Sequence, residues 1–490
     1  MQAEAFHFGL RISDFGLENS GESTVFESEI RNELMGLLRL KTTECCVGVL
    51  GLYNAGKTVF LTSLVNHLEH HDPDRFRIGK PGTTVRKFRL HAAVHGWAAF
   101  NYAGFRDALV HGGRWPEKTR DRSMLTCQFE RSDWAFSDVL LKLYDLPGER
   151  LADAAMVGKS FAAWSDHILT RIRNDTPYRD ACEGFFEASA SKVATEESLV
   201  AAYKLSLAKL ILSFKPMISP STFLLDKSGN AAKPVTPEEL ALRRYSGLGP
   251  GSEFAPLTVE VRAANPDLTA LFSARFERYK TELIEPYLGA LRSCHSLVVL
   301  VDVMMLLAGG VGMYDDNRQI LHDLFQVLDP GESAIQTVGR HLAKALLPHQ
   351  MRPGWINRVA FVAPKLDLVH PSDRDRMVRL LKQLVGKLAD NRDGLKANYF
   401  NAAATVSTRM LPTGSDERAM IGMPFRGTDG RKIPPGAEQR FRVPELPESW
   451  PASWQPGMFQ YPEVYPTIPM RKDAPPEQIN LDKVLEFILG

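Results

Sequence analysis

The chain has 490 residues, enough to bury a large core and to form two or three structural units. Its 59 lysines and arginines nearly balance 58 aspartates and glutamates, so no nucleic-acid or other polyanion partner is expected. Five cysteines at 45, 46, 127, 182 and 294 form no C-x-x-C pair, which argues against a disulfide framework or a zinc site and suits a reducing, cytoplasmic setting. Residues 1–25 are acidic and polar, with no apolar segment of the signal-peptide type.

In chain order, Val25–Lys41 has the apolar spacing of an amphipathic helix leading into a first strand, Cys45–Leu50. Residues Gly51–Thr58 then fit the phosphate-cradling pattern G-x-x-x-x-G-K-[ST]. Gly51 and Gly56 let the backbone curl so that its N–H groups converge on phosphate oxygens. Tyr53, Asn54, Ala55 and Val59 complete the expected cradle, Lys57 reaches the β- and γ-phosphates, and the Thr58 hydroxyl ligates Mg²⁺. The following run places Phe60, Leu61, Leu64, Val65 and Leu68 on one helical face, so the loop has the strand and helix it needs.

Residues 70–122, rich in glycines, basic residues and aromatics, read as a long irregular insertion. Met124–Glu130 and Val139–Tyr144 read as antiparallel strands joined by a tight connection opening at Arg131-Ser132-Asp133. Asp145-Leu146-Pro147-Gly148 follows. An aspartate at the end of a strand beside the phosphate loop can hold Mg²⁺, and Gly148 can offer its N–H to the γ-phosphate. Glu149 stands where Ras-type switches often carry a water-orienting glutamine; its charge would repel the γ-phosphate, so slow intrinsic hydrolysis is expected. For the Mg²⁺-binding switch threonine, Thr119 is preferred over Thr83 and Thr84, because it lies just before the strand preceding Asp145.

Residues 151–215 are alanine-rich and helical in spacing, 216–256 loop-like, and Leu268–Ser293 helical. Leu297–Ala308, the most apolar stretch, is interrupted by Asp302; it is too short to span a bilayer and reads as a buried strand running into a loop. Val359–Ala363 is a further strand, and Leu321–Val327 and Met377–Leu388 are helices. Val359–Ala363 runs into Pro364-Lys365-Leu366-Asp367, the x-Lys-x-Asp arrangement by which many GTPases read guanine: the carboxylate takes the ring N–H and exocyclic amine, and the lysine stem lies along the base. Pro364 departs from the usual asparagine or threonine and leaves guanine against adenine open. Ala403 or Ala404 can offer an N–H to the guanine oxygen. Residues 411–490 hold 13 of the 31 prolines, which suits a wrap over a domain surface or a partly disordered segment, closed by a short amphipathic helix at Leu481–Leu489.

These elements give an α/β fold: a P-loop NTPase of Ras-like type, with a doubly wound, mostly parallel sheet and a helical insertion domain. The expected units are an N-terminal segment (1–44), the first half of a GTPase domain with its switch regions (45–150) and a helical insertion (151–293). A second half (294–410) and a proline-rich wrap (411–490) follow.

The Gly51–Thr58 loop, Trp115-Pro116-x-x-Thr119, Asp145-x-Pro147-Gly148-Glu149, Val301-Asp302, x-Lys365-x-Asp367 and the closing Leu481–Gly490 resemble the YcjX-like bacterial stress proteins. The resemblance runs from about residue 40 to the end. It implies Mg²⁺-dependent GTP binding and hydrolysis to GDP in a stress-linked switch, with Lys57, Thr58, Thr119, Asp145, Gly148, Lys365 and Asp367 in the matching roles. It also implies a protein effector, and a membrane-associated partner that would place the protein at the inner face of the membrane. Asn54 further resembles cation-stimulated GTPases in which an asparagine holds K⁺ near the phosphates; the alternative is a bond within its own loop. Two other functions stay open: a P-loop ATPase or kinase, and a nucleotide-binding scaffold with negligible turnover. A dynamin-type remodeller lacks the heptad helices and hydrophobic paddle it needs.

Overall fold

The computed structural model describes residues 42–52, 54–94, 96–117, 122–134, 138–191, 194–213, 219–224, 236–242, 248–249, 251–328, 356–389, 395–411, 418–426, 432–471 and 473–490, without the side chains of Glu149, Lys387 and Ala389. The expected helix at Val25–Lys41 lies outside them.

Strand β1 (Thr43–Gly51) is apolar on both faces, and that places it at the centre of the sheet. Val47 and Val49 point into one buried cluster, with Leu61, Leu64 and Leu68; Leu50 points into the other. Further strands are β2 (Val85–His91), β3 (Ala98–Ala99), β4 (Ser123–Arg131), β5 (Asp138–Asp145), β6 (Ser296–Leu300), β7 (Arg358–Ala363) and β8 (Lys396–Asn401). They are ordered β2-β4-β5-β1-β6-β7-β8, with β3 beside β4. From β5 to β8 all pairings are parallel, while β4 is antiparallel to both β5 and β2.

The helices that matter below are α1 (Lys57–Glu69), α2 (Tyr102–Val110), α3 (Phe161–Asn174), α4 (Glu196–Leu212), α5 (Pro266–Tyr279), α6 (Glu285–Arg292), α7 (Val303–Leu328), α8 (Arg374–Ala389) and α9 (Leu481–Leu489). One face of the sheet is covered by α1 and α9, the other by α7, α8 and the helices between β5 and β6. Those intervening helices, α3 to α6, pack around rings: Trp164 lies 5.4 Å from both Phe254 and Phe276. A small antiparallel sheet, β9 (Thr408–Met410), β10 (Ala419–Gly422) and β11 (Gln439–Arg442), lies in the C-terminal part.

Two expectations are corrected. Residues 70–122 are not wholly irregular, since they hold β2, β3 and α2. β2 is an edge strand with exposed or half-buried residues on both faces, so its sequence lacks the apolar alternation that marks a strand. The apolar run Leu297–Ala308 does not end in a loop; α7 begins at Val303. Asp302, which interrupts the run, caps that helix: the Met305 N–H donates to its Oδ1 at 3.0 Å.

Helix α7 is broken at Gly310, whose φ of 83° and ψ of 175° are far from helical. The C-terminal wrap repairs the break. Trp454 Nε1–H donates to the Leu307 carbonyl (2.9 Å), the Gly457 N–H to the Ala308 carbonyl (2.8 Å), and the Val311 N–H to the Trp454 carbonyl (3.3 Å). Orphaned backbone groups in mid-helix thereby find partners. The wrap ends in α9, which buries Leu481, Val484, Leu485, Ile488 and Leu489. Each such side chain contributes on the order of 2 kcal/mol of transfer free energy. No helix among the described residues is long and apolar enough to cross a membrane.

Candidate functional site

The predicted phosphate loop occupies the turn between β1 and α1, at the carboxyl edge of the sheet where doubly wound folds place ligands. Gly56 has φ 81° and nothing within 4 Å of a Cβ built on it, so the backbone there is left-handed and faces open space. Asn54 is exposed and also left-handed, at φ 61°. Ala55 is buried and its N–H returns to the Leu52 carbonyl at 3.1 Å, tightening the loop. Lys57 opens α1 and folds back, its Nζ donating to the Gly51 carbonyl at 3.1 Å. Thr58 and Val59 follow half-buried on the first turn. Tyr53 lies outside the described residues.

The second element converges on the first. Asp145 ends β5 in register with Val49 of β1, and only 2% of it is exposed. Gly148, three residues on, opens a 3₁₀ helix, Gly148–Met156. A Cβ on Gly148 would stand 1.9 Å from the Gly51 carbonyl oxygen and 3.0 Å from Lys57 Nζ. Lys57 and Gly148 are thus in contact, and the buried Asp145 stands three residues before Gly148 at the end of β5. Glu149 follows in the 3₁₀ helix. Thr119 lies outside the described residues, but Ser123, four positions on, pairs with Asp145 across β4 and β5. Thr84 is at the opposite end of β4, where it bonds Ser132, and so is removed from this site.

The residues predicted to read the base lie just after β7 and β8, and each has a partner within the chain. Lys365 Nζ donates to Asp302 Oδ2 at 2.5 Å. Burial lowers the Lys365 pKa, but the adjacent Asp302 charge and hydrogen bond outweigh it, and the ammonium is held above the ordinary lysine range. Asp367 is 4% exposed and its Oδ2 accepts the Ser407 N–H at 2.9 Å and the Ser407 hydroxyl. Burial raises its pKa against these bonds. Ala403 exchanges backbone bonds with Ile479 (2.9 and 2.8 Å), and the Ala404 carbonyl accepts the Ser63 hydroxyl. A cavity of about 620 Å³ opens beside Asp367, bordered by His67, Arg374, Val406, Thr408 and the segment 473–479.

The donor set suits Mg²⁺. Thr58 brings a hydroxyl and Asp145 a carboxylate, both hard oxygens, and among the described residues no cluster of three or more His, Cys, Asp or Glu forms an all-protein cage. Mg²⁺ held by one or two protein oxygens, waters and phosphates needs no more.

The sequence pattern of the YcjX-like family, DUF463, matches residues 46–490. The chain belongs to the YcjX-like family. It is similar to a protein of Escherichia coli K12 named "Ras-like GTPase YcjX", 24% identical over 490 aligned positions that cover 94% of this chain and 98% of the relative. It is likewise similar to a Shewanella oneidensis protein of the same name, 24% identical over 488 positions covering 91% and 93%. The family and the sheet agree on the fold, a Ras-like P-loop fold with a mostly parallel sheet.

Sequence reasoning missed three contributors. Ser407 holds Asp367, Ile479 braces Ala403, and Asp302 holds Lys365. Asp302 carried a signal, a charged residue at the end of an apolar strand. Ser407 and Ile479 carried none, because their partners are set by tertiary packing.

Proposed function

We propose that this chain is a GTP-binding protein that hydrolyses GTP to GDP and phosphate with Mg²⁺ and acts as a molecular switch. The observation that carries the reading is the contact of Gly148 with Gly51 and Lys57, beside Asp145. A γ-phosphate entering there meets the loop N–H groups, the Lys57 ammonium and the Gly148 N–H together, while Asp145 and Thr58 hold Mg²⁺. The metal supplies charge neutralisation for the phosphates when bound. Thr119 is assigned to the same metal, and Glu149 to orienting the water, which makes turnover slow without a cation or partner. The names of the two relatives support guanine nucleotide as the ligand.

Base reading is assigned to Asp367 and Lys365, with the base entering beside the cavity that Asp367 borders. Ala403 is already engaged by Ile479, so the N–H for the guanine oxygen falls to Ala404. K⁺ held at the exposed Asn54 remains part of the reading. Residues 151–293 serve as the helical insertion between the two halves of the GTPase domain. A protein effector, membrane-associated and stress-linked as the resemblance implies, would read the switch.

The test is binding of fluorescent GDP, GTP, ADP, ATP and XDP with Mg²⁺ to the native chain and to Asp367→Asn. A carboxylate accepts both guanine N–H groups, whereas an amide offers one donor and one acceptor and suits xanthine. A trade of guanine for xanthine in the variant supports the assignment. Adenine preference in the native chain moves the protein to the ATPase class.

A further inference from the structure

The 3₁₀ helix that begins at Gly148 is buried along its last six residues: Leu151, Ala152, Asp153, Ala154, Ala155 and Met156 are all inside. A segment that must respond to the γ-phosphate is therefore not a free surface loop. Any displacement of it moves what covers it.

At its centre is Asp153, wholly buried. Its carboxylate accepts the Ser219 hydroxyl at 2.7 Å, the Ser221 hydroxyl at 2.6 Å, the Ser221 N–H at 3.0 Å and the Tyr279 hydroxyl at 2.8 Å. No ion pair reaches it among the described residues. Every one of these donors belongs to the stretch between β5 and β6: Ser219 and Ser221 to one loop, Tyr279 to the end of α5. The donors are themselves fixed, since Tyr203 donates to the Ser219 carbonyl (2.6 Å) and Thr222 to the Tyr279 oxygen (3.0 Å). A second tie lies nearer the phosphate end, where the Tyr287 hydroxyl of α6 donates to the Pro147 carbonyl at 3.3 Å. A buried carboxylate held by neutral donors alone adds little stability over an apolar residue of the same shape. What it adds is a defined position.

We propose that Asp153 is a positioning residue that fastens the Gly148 helix, where it enters the helical insertion, to the Ser219–Ser221 loop and the end of α5, so that the insertion sets the place of the Gly148 N–H and moves with it. This rests on the GTPase reading and deepens it by naming what regulates the site. Geometry supplies the mechanism: Gly148 already touches Gly51, so a γ-phosphate that draws the Gly148 N–H toward Lys57 also draws Asp153. Asp153 takes with it the Ser219–Ser221 loop and the end of α5. Pulling on that loop from outside acts in reverse on the affinity for the γ-phosphate, because coupling is reciprocal for binding.

The experiment uses the full chain, with Asp153→Asn and Tyr279→Phe. Three quantities are read: single-turnover GTP hydrolysis, GDP affinity, and hydrogen exchange of residues 219–224 and 266–279 with GDP and with a non-hydrolysable GTP analogue. The native chain is expected to show different exchange in these segments with the two nucleotides. In Asp153→Asn that difference should vanish and hydrolysis slow about tenfold, while GDP, which makes no γ-phosphate contact, binds within about twofold of native. Tyr279→Phe removes one donor and should move the same readouts less; it decides the matter if Asp153→Asn does not fold. Exchange in the insertion that ignores the nucleotide in the native chain overturns the proposal while leaving the GTPase reading intact. So does native turnover in both variants, or a loss of GDP affinity as large as the loss of hydrolysis, which marks a purely structural role. Failure of the native chain to bind any guanine nucleotide removes the GTPase reading, and this proposal with it.

Discussion

Gly148 sits so close to Gly51 that a single added methyl would land 1.9 Å from the Gly51 carbonyl oxygen. The obstacle is backbone, at the end of the central strand, and cannot rotate away. Gly148→Ala must therefore shift the 3₁₀ helix. We expect it to reduce single-turnover GTP hydrolysis at least tenfold and to cost about 1–3 kcal/mol of stability by overpacking. Rapid-quench hydrolysis and a urea melt measure the two effects, and native turnover in the variant would separate Gly148 from the γ-phosphate.

Lys57 offers a second test at the same contact. Its ammonium rests on the Gly51 carbonyl, a neutral acceptor that a phosphate outcompetes. Lys57→Ala should weaken fluorescent GDP binding by about 100-fold, near 3 kcal/mol, without lowering the melting temperature by more than a degree or two. Equal affinity in the two proteins would show that nucleotide binds elsewhere.

Gly310 tests the repaired break in α7. Its φ of 83° strains any other residue, and a Cβ would stand 2.9 Å from Pro456 Cδ. Gly310→Ala should lower stability by about 1–3 kcal/mol, read as a lower urea midpoint with an unchanged slope. An unaltered midpoint would mean that the wrap yields at little cost.

Acid sensitivity follows from His67. Its Nε2–H donates to the Pro476 carbonyl of the C-terminal wrap (3.0 Å), and its ring stacks on Phe76 at 4.8 Å. Burial, outweighing that bond, holds its pKa at about 4 against an ordinary 6.5. The folded chain thus keeps His67 neutral where the unfolded chain takes a proton. Stability from this group is complete above pH 6.5, falls as pH drops from 6.5 to 4, and levels off below, a change of about 3 kcal/mol. His71 and His167, also lowered by burial, act in the same direction. Urea melts from pH 7 to 4.5 should show the slope, and His67→Gln should flatten it.

The five cysteines are all reduced, and burial raises each thiol: Cys45 and Cys182 to about 11, Cys46 and Cys127 to about 12, and Cys294 in the same direction. A thiol reagent at pH 7.5 should therefore find little thiolate in the native protein and all five groups after denaturation. A rapid native reaction at any one of them would contradict this packing.

Much of this was legible beforehand, and for local reasons. The phosphate loop, β1, β5, β7 and α9 announce themselves through apolar runs, glycines and amphipathic spacing that depend on near neighbours. β2 was hidden because an edge strand needs no apolar face, and the first half of α7 because its cap, Asp302, looked like an interruption, whereas Leu321–Val327 in its second half was legible. Asp367 was singled out by motif spacing, and Ala403 and Ala404 by the end of an apolar run, without a choice between the two. The partners Ser407 and Ile479 were not, since only the folded chain brings them together. Asp153 had no signal at all: one aspartate in a run of small and apolar residues becomes meaningful only when three distant hydroxyls close around it.

The bridge between Ala403 and Ile479 has a bearing on how this protein is destroyed. The loop assigned to the base is braced by a strap that also meets His67, 409 positions back along the chain, and Ser296 is bonded to Ile488 beyond it. If the base is read there, its seat depends on this strap, whereas the phosphate loop is built from residues 51–58 alone. A protease that nicks the proline-rich strap near residue 473 undoes that seat first. Tight nucleotide retention is then expected only of a molecule whose wrap is uncut.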